Sequence, residues 1–286
     1  MEEPMPQNRP VQLTLKRQPV TEGAGVRLNR LFGHAEAPAL DPFLLLDDFR
    51  SDTPADYLKG FPWHPHRGIE TITYVLKGDV AHGDSLGNQG IISSGDVQWM
   101  TAGSGIIHQE MPKGDDNGSM HGFQLWANLP AAQKMISPKY RDITADQVPE
   151  ITLPDQVRVK IIAGKVDGVS GPVDDIVIEP TFLDCDVPAG AVFNHDVDPA
   201  HTVFIYVIGG SGSTDGKAVE NGDLVVFGKG TRVTVSATDA AVRFLLLSGR
   251  PLNEPVAWRG PIVMNTKQEL ETAFREYREG GFLKTG

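Results

Sequence analysis

The residues best suited to chemistry lie in two short segments. One is Trp63-His64-Pro65-His66-Arg67-Gly68-Ile69-Glu70, the other Gly105-Ile106-Ile107-His108-Gln109-Glu110. Successive side chains of a β-strand point to opposite faces, so positions i and i+2 share one. On strands, His64 and His66 therefore aim two imidazoles at a common point, and His108 and Glu110 add an imidazole and a carboxylate. Two such strands facing each other inside a barrel would gather three nitrogens and one oxygen about one centre. That set suits a borderline divalent metal such as iron, copper, nickel or zinc. Three neutral imidazoles and one carboxylate leave a divalent ion a net charge of about +1. Octahedral geometry would leave open positions, the mark of a reactive rather than a closed structural site. Glu70 competes for the acidic place. It follows His66 by four residues and shares the histidine face if the strand is unbroken, either as a rival ligand or as a partner that orients a histidine. A histidine standing alone is usually a packing or surface residue, and His34, His82 and His121 each stand alone.

The elements that must position these groups read as strands. Residues 71–76, 158–162 and 203–208 are β-branched and aromatic runs bounded by turn residues. Asn117-Gly118 and Asn221-Gly222 are tight-turn signals. Closely spaced turns predict an all-β barrel or sandwich. A pseudo-repeat is visible: Gly78 closes a strand run and Gly95-Asp96-Val97 opens the next, as Gly209-Gly210 and Gly222-Asp223-Leu224 do later. Two copies of one barrel unit follow, residues 1–135 and 136–286, joined through Pro130 to Pro149, where residues 131–136 are expected to form a short helix. A clear helix lies near the C-terminus. Thr266 and Glu269 make a capping box, Leu270, Ala273, Phe274 and Tyr277 recur at helical spacing, and Gly280-Gly281 supplies the stop.

Composition narrows the class. Lys and Arg number 26 against 37 Asp and Glu, a net charge of -11 with no basic stripe, which argues against direct nucleic-acid binding. No apolar run is long enough to cross a membrane. The start, Met1-Glu2-Glu3-Pro4, is acidic and is not followed by the apolar stretch of a secretory signal. Cys185 is the single cysteine, so a thiolate cage and an internal disulfide are excluded, and a cytoplasmic location is expected.

The motifs resemble the cupin superfamily. Its first motif is similar to His64, His66, Glu70 and Gly78, its second to Gly95, Gly105 and His108, although the usual proline of the second is absent. The sharper resemblance is to the pirin family. It rests on Leu40-Asp41-Pro42-Phe43 with Leu46-Asp47-Asp48-Phe49, on His64-Pro65-His66-Arg67-Gly68 through Glu70-Thr71, and on Thr101-Ala102-Gly103-Ser104-Gly105-Ile106 to His108 and Glu110. His121-Gly122-Phe123-Gln124-Leu125-Trp126 with Asn128-Leu129-Pro130 belongs to the same pattern. Sparser likeness continues through Pro251-Leu252-Asn253-Glu254-Pro255-Val256 and Gly260-Pro261-Ile262-Val263-Met264-Asn265-Thr266. The resemblance implies a bicupin of two jelly-roll-like β-barrels. It implies one divalent metal, iron(II) foremost, at His64, His66, His108 and Glu110, and so prefers Glu110 to Glu70 as the fourth ligand. It further implies quercetin 2,3-dioxygenase activity, or a regulatory role through a protein partner.

The expected function is thus a metal-dependent dioxygenase acting on a flavonol or related planar phenol, with Glu110 as base or as plain ligand. The runner-up is a non-enzymatic iron-binding regulator that acts through a protein partner. A third reading is a sugar- or small-acid-binding cupin using its metal as a Lewis acid. Phe61, Trp63 and Met111 flank the ligand segments and could line an apolar pocket, although ordinary packing explains such residues more often. The second barrel is expected to hold no metal: His195 and His201 lie six apart, and no histidine follows Gly222.

Overall fold

The computed structural model describes residues 6–284, so Met1-Glu2-Glu3-Pro4 lies outside the described residues. The chain is mostly β-strand with one long C-terminal helix, and it forms two compact units. One comprises Gln18–Ala145 with Leu252–Gly286, the other Met1–Arg17 with Asp146–Pro251, each over its described residues. The expected strands appear as Ile69–Lys77, Arg158–Ala163 and Thr202–Thr214.

This division differs from a single cut between 135 and 136 at both ends of the chain, and strand pairing is the reason. The strand Val11–Lys16 pairs antiparallel with Asp223–Phe227, filling an edge that would otherwise expose unpaired backbone groups. The helix Lys267–Glu279 buries Leu270 and Ala273 in a cluster with Ile262, Met264 and Phe282, against which Ile107 packs. The unit that carries the histidine pairs thus takes the helix. The segment from Pro130 to Pro149 is also more than a linker. Residues 131–133 form a single 3-10 turn, short of the expected helix, and the strand Lys139–Ile143 pairs with Val97–Thr101. Pro138 disfavours helical backbone at Ser137, so no helix can run on through it into the following strand.

In the histidine-bearing unit a seven-stranded antiparallel sheet runs in the order Lys139–Ile143, Val97–Thr101, Ile69–Lys77, His121–Asn128, Phe43–Asp48, Val26–Phe32, Gln18–Glu22. A four-stranded sheet holds Phe61–His66, Ile106–Lys113, Asp79–Asp84 and Gln89–Ile92. The arrangement is a jelly-roll-like pair of sheets and not a closed barrel. The second unit contains a ten-stranded sheet. Its interior is filled by apolar side chains, among them Val159, Leu183, Phe193, Ile205, Phe244 and the buried Cys185.

The C-terminal helix begins at Thr266, whose hydroxyl accepts from the Glu269 amide while the Glu269 carboxylate accepts from the Thr266 amide. It ends at Gly280 in the left-handed conformation. Among the described residues no helix is long and apolar enough to cross a membrane.

Candidate metal centre

The strands Phe61–His66 and Ile106–Lys113 pair antiparallel with His64 opposite His108. The register shifts beyond that pair, and Glu110 comes to lie opposite Phe61. The extra residue sits on the Phe61–His66 strand, because Ile106–Lys113 pairs without a break with Asp79–Asp84 through His108 and Glu110. His108 and Glu110 therefore keep their shared face.

The structure brings three imidazoles together. One ring nitrogen each from His64, His66 and His108 lie within 4.8 Å of one another. Ring centroids are 4.8 Å apart for His64 and His66, 4.4 Å for His64 and His108, and 5.0 Å for His66 and His108. The neighbouring carbonyls set the tautomers: His64 Nδ1 donates to Pro62 O at 2.9 Å, and His66 Nδ1 to Pro261 O at 3.1 Å. The two Nε2 atoms face each other at 3.0 Å, a separation bridged by a shared proton or by a cation held between them. Both ring nitrogens of His108 are buried without a hydrogen-bond partner among the described residues, an expensive state unless something else binds there. Burial, with the neighbouring imidazoles second, pushes His66 and His108 well below the usual histidine range, so both are neutral ligand forms. The residues present therefore fit a divalent metal.

Glu110 stands beside the three imidazoles, outside the group of mutually close donors. Its Oε2 is 3.9 Å from His108 Nε2, and its Oε1 accepts from Thr73 Oγ1 at 3.0 Å. Burial raises its carboxyl above the usual range, and His64 acts in the opposite sense. Glu70 is not at the centre. The strand that carries His64 and His66 ends at His66, and Gly68 turns the chain at a φ of 77°. Glu70 then lies in the next strand, where its Oε1 accepts from Thr101 Oγ1 at 2.6 Å. Gly68 is demanded by close approach as well, since a Cβ there would stand 2.0 Å from Val263 O.

The other histidines do not join. His82 bonds the Gln98 amide at 3.0 Å, and His121 lies 3.7 Å from an Asp48 oxygen. His34 stacks on Trp258 with centroids 3.6 Å apart. Neither His195 nor His201 belongs to a cluster of three ligand-type residues among the described residues.

His64 and His66 open on a cavity of about 570 Å³ whose walls include Phe61, Trp126, Trp258 and Glu110. Of the three flanking residues considered for this wall, Phe61 lines it. Trp63 is 53% exposed, and neither it nor Met111 is part of the lining. Each is one position from a cavity-facing residue and so points the other way. Trp126, edge-on to His66 at 5.1 Å, and Trp258 were missed. Alternation along His121–Asn128 could have indicated Trp126, but nothing local marks Trp258.

The C-terminal segment builds the back of the site. Pro261 supplies the carbonyl on His66, 195 residues away in sequence. Arg67, buried next to His66, donates to Glu276 Oε2 and to Phe282 O, each at 2.7 Å. Its guanidinium lies 4.2 Å from the centroid of the Phe282 ring. Lys134 Nζ donates to Gly68 O, Asn128 Oδ1 and Val263 O at 2.7, 2.5 and 3.2 Å. It thereby ties the turn after His66 to the returning chain.

Two jelly-roll-like cupin units in one chain, one of them carrying a histidine cluster in a cavity wall, define a bicupin. The chain belongs to the pirin family. Residues 25–127 match the family model for pirin, and residues 182–283 match that for the pirin C-terminal cupin domain. It is 45% identical over 276 residues to a pirin-like protein of Caulobacter vibrioides, covering 96% of this chain and 99% of that one. It is 38% identical to the pirin of Mus musculus, covering 96% and 94%. A crystal structure of quercetin 2,3-dioxygenase from Acinetobacter baumannii superposes with a TM-score of 0.88 at 31% identity, covering 96% of this chain and 98% of that one. A bacterial pirin from Escherichia coli, solved in complex with nickel(II), shares the fold with a TM-score of 0.63 at 22% identity, covering 84% and 98%.

Proposed function

We propose that the protein is an iron-dependent dioxygenase of the quercetin 2,3-dioxygenase type, acting on a flavonol or related planar phenol. The observation that carries this reading is the convergence of three imidazoles, with the Nε2 atoms of His64 and His66 3.0 Å apart on the wall of an aromatic-lined cavity and the ring of His108 beside them. The name of the Acinetobacter baumannii relative supports the reaction class. His64, His66 and His108 would hold the metal with Glu110 as fourth ligand, and the second unit, its interior packed with apolar side chains, would hold none. A metal so held would supply Lewis acidity toward a phenolate oxygen and a redox centre for dioxygen.

The chain's own residues do the remaining work. Glu110 Oε2 is placed to take the proton of an enolic hydroxyl entering the cavity. Its carboxyl, raised by burial, suits a proton acceptor better than an exposed carboxylate would. Thr73 holds the other carboxylate oxygen at 3.0 Å and fixes its direction. Phe61, Trp126 and Trp258 offer flat apolar walls that orient a planar ring and exclude water.

The test is oxygen uptake by iron-loaded protein over a panel of flavonols, together with metal content of three variants. Uptake in the wild type is expected, with loss of metal and uptake in His64→Ala and His108→Ala and retention of both in His201→Ala. Full metal content in His108→Ala would sink the metal site. No uptake with any flavonol would sink the enzyme and leave the regulator that binds iron without turnover.

A further inference from the structure

The floor of the cavity is a row of polar side chains laid across four strands. Thr73 stands opposite Gln124, Gln124 opposite Asp47, and Asp47 opposite Arg30, and all four line the cavity. Three interstrand gaps make the row about 14 Å long. At one end Thr73 Oγ1 reaches Glu110. At the other, Arg30 clamps Asp47 through Nε and Nη2, both at 2.8 Å, and its Nη1 lies 2.9 Å from Glu22 Oε1. On or next to the same strands the neighbouring cavity-lining positions are apolar or aromatic, namely Leu28, Leu45 and Trp126, with Phe49 just past the end of Phe43–Asp48.

This row is costly for the fold. Burial pushes the Asp47 carboxyl up to about 6 even with Arg30 beside it. The Gln124 amide nitrogen is buried with no hydrogen-bond partner among the described residues. Aliphatic side chains would pack the same floor without either penalty. A ligand that uses the row accounts for both.

We propose that Glu22, with Arg30 behind it, forms a second recognition end of the cavity, which takes the hydroxylated outer ring of a polyphenol and refuses a carboxylate in that place. This rests on the proposed function, which puts the enolic edge of the same molecule at the histidines. Glu22, Arg30 and Asp47 together carry one net negative charge. The Arg30 fork is already occupied by two carboxylates, so it has little left for a third. The Glu22 carboxylate, its side chain 44% exposed, keeps lone pairs free for vicinal phenolic hydroxyls. In mid-row, the Gln124 amide donates to a ring oxygen of the ligand.

The experiment measures binding to metal-loaded protein without oxygen, through quenching of tryptophan fluorescence. The probes are a flavonol with bare outer rings, the same flavonol with a catechol outer ring, and one with a carboxylate there. In the wild type the catechol should bind about tenfold tighter than the bare flavonol, as expected for hydrogen bonds to a charged group. In Glu22→Ala that ratio should fall below about threefold, and the carboxylate probe should gain affinity. Glu22 is half-exposed at a strand end, so this variant should fold, and bound metal per chain is the control. A ratio near one in the wild type, or one that survives Glu22→Ala, overturns the inference while binding of the bare flavonol keeps the proposed function. Failure of every flavonol to bind overturns both.

Discussion

Arg67→Met tests whether the C-terminal segment positions the metal ligands. The buried guanidinium holds Glu276 and the Phe282 carbonyl at 2.7 Å each and lies over the Phe282 ring. Each hydrogen bond from a charged donor contributes about 1.5–3 kcal/mol, and the cation–π contact about 0.5–2 kcal/mol. Two effects reduce the loss. Glu276 keeps Lys284, whose Nζ is 2.7 Å away, and methionine removes a buried charge whose Nε has no partner. The net cost is about 2–4 kcal/mol. The freed segment 281–284 backs Gly105, and the same C-terminal chain carries the Pro261 carbonyl on His66. Loosening that carbonyl should weaken metal binding by about tenfold, the low end for partners that orient a ligand. Chelator competition gives the affinity, denaturant titration the stability, and hydrogen exchange of Lys267–Glu279 the docking of the helix. An affinity within about twofold of wild type, in a variant whose helix has lost protection, would refute the positioning argument. Unchanged stability would refute the estimate.

Further substitutions probe the carboxylates, the turn and the buried ammonium. Glu110→Gln should lower oxygen uptake per bound iron by about a hundredfold, while Glu70→Gln, whose carboxylate bonds Thr101, should be milder. Equal uptake per iron in Glu110→Gln would remove Glu110 as a base. Gly68→Ala must move either its own backbone or Val263, and should cost more than about 3 kcal/mol. A melting temperature equal to wild type would show that the turn relaxes. Burial pushes Lys134 down to about 7, so above that pH the unfolded chain binds a proton that the folded one does not. Stability should therefore rise with pH from about 7 toward the ordinary lysine value of about 10.4. The three oxygens on the ammonium keep the slope below about 1.4 kcal/mol per pH unit. Lys134→Met should lack this rise in urea unfolding at two pH values between about 7 and 8, below the range where the buried Cys185 thiol and Tyr140 hydroxyl, both raised by burial, begin to oppose it, and a wild-type stability that falls there would refute the assignment.

Local rules made much of this protein readable from its sequence. The alternation of a strand is enough to pair His64 with His66 and His108 with Glu110, and β-branched runs between turn residues are enough to mark the strands that carry them. The capping box at Thr266 and Glu269 is likewise a short-range signal, and the helix starts there. What adjacency cannot show is which distant segments share a surface. Glu70 lies four residues from His66 and would share its face on an unbroken strand, but Gly68 and the Val263 carbonyl turn the chain away. Membership of the two units was decided by strand pairing and by the apolar face of a helix, so both chain ends cross the expected boundary. Trp258, the Pro261 carbonyl and the row from Thr73 to Arg30 follow from register and long-range packing. Those depend on how whole sheets meet, a free energy summed over many contacts that no short motif encodes.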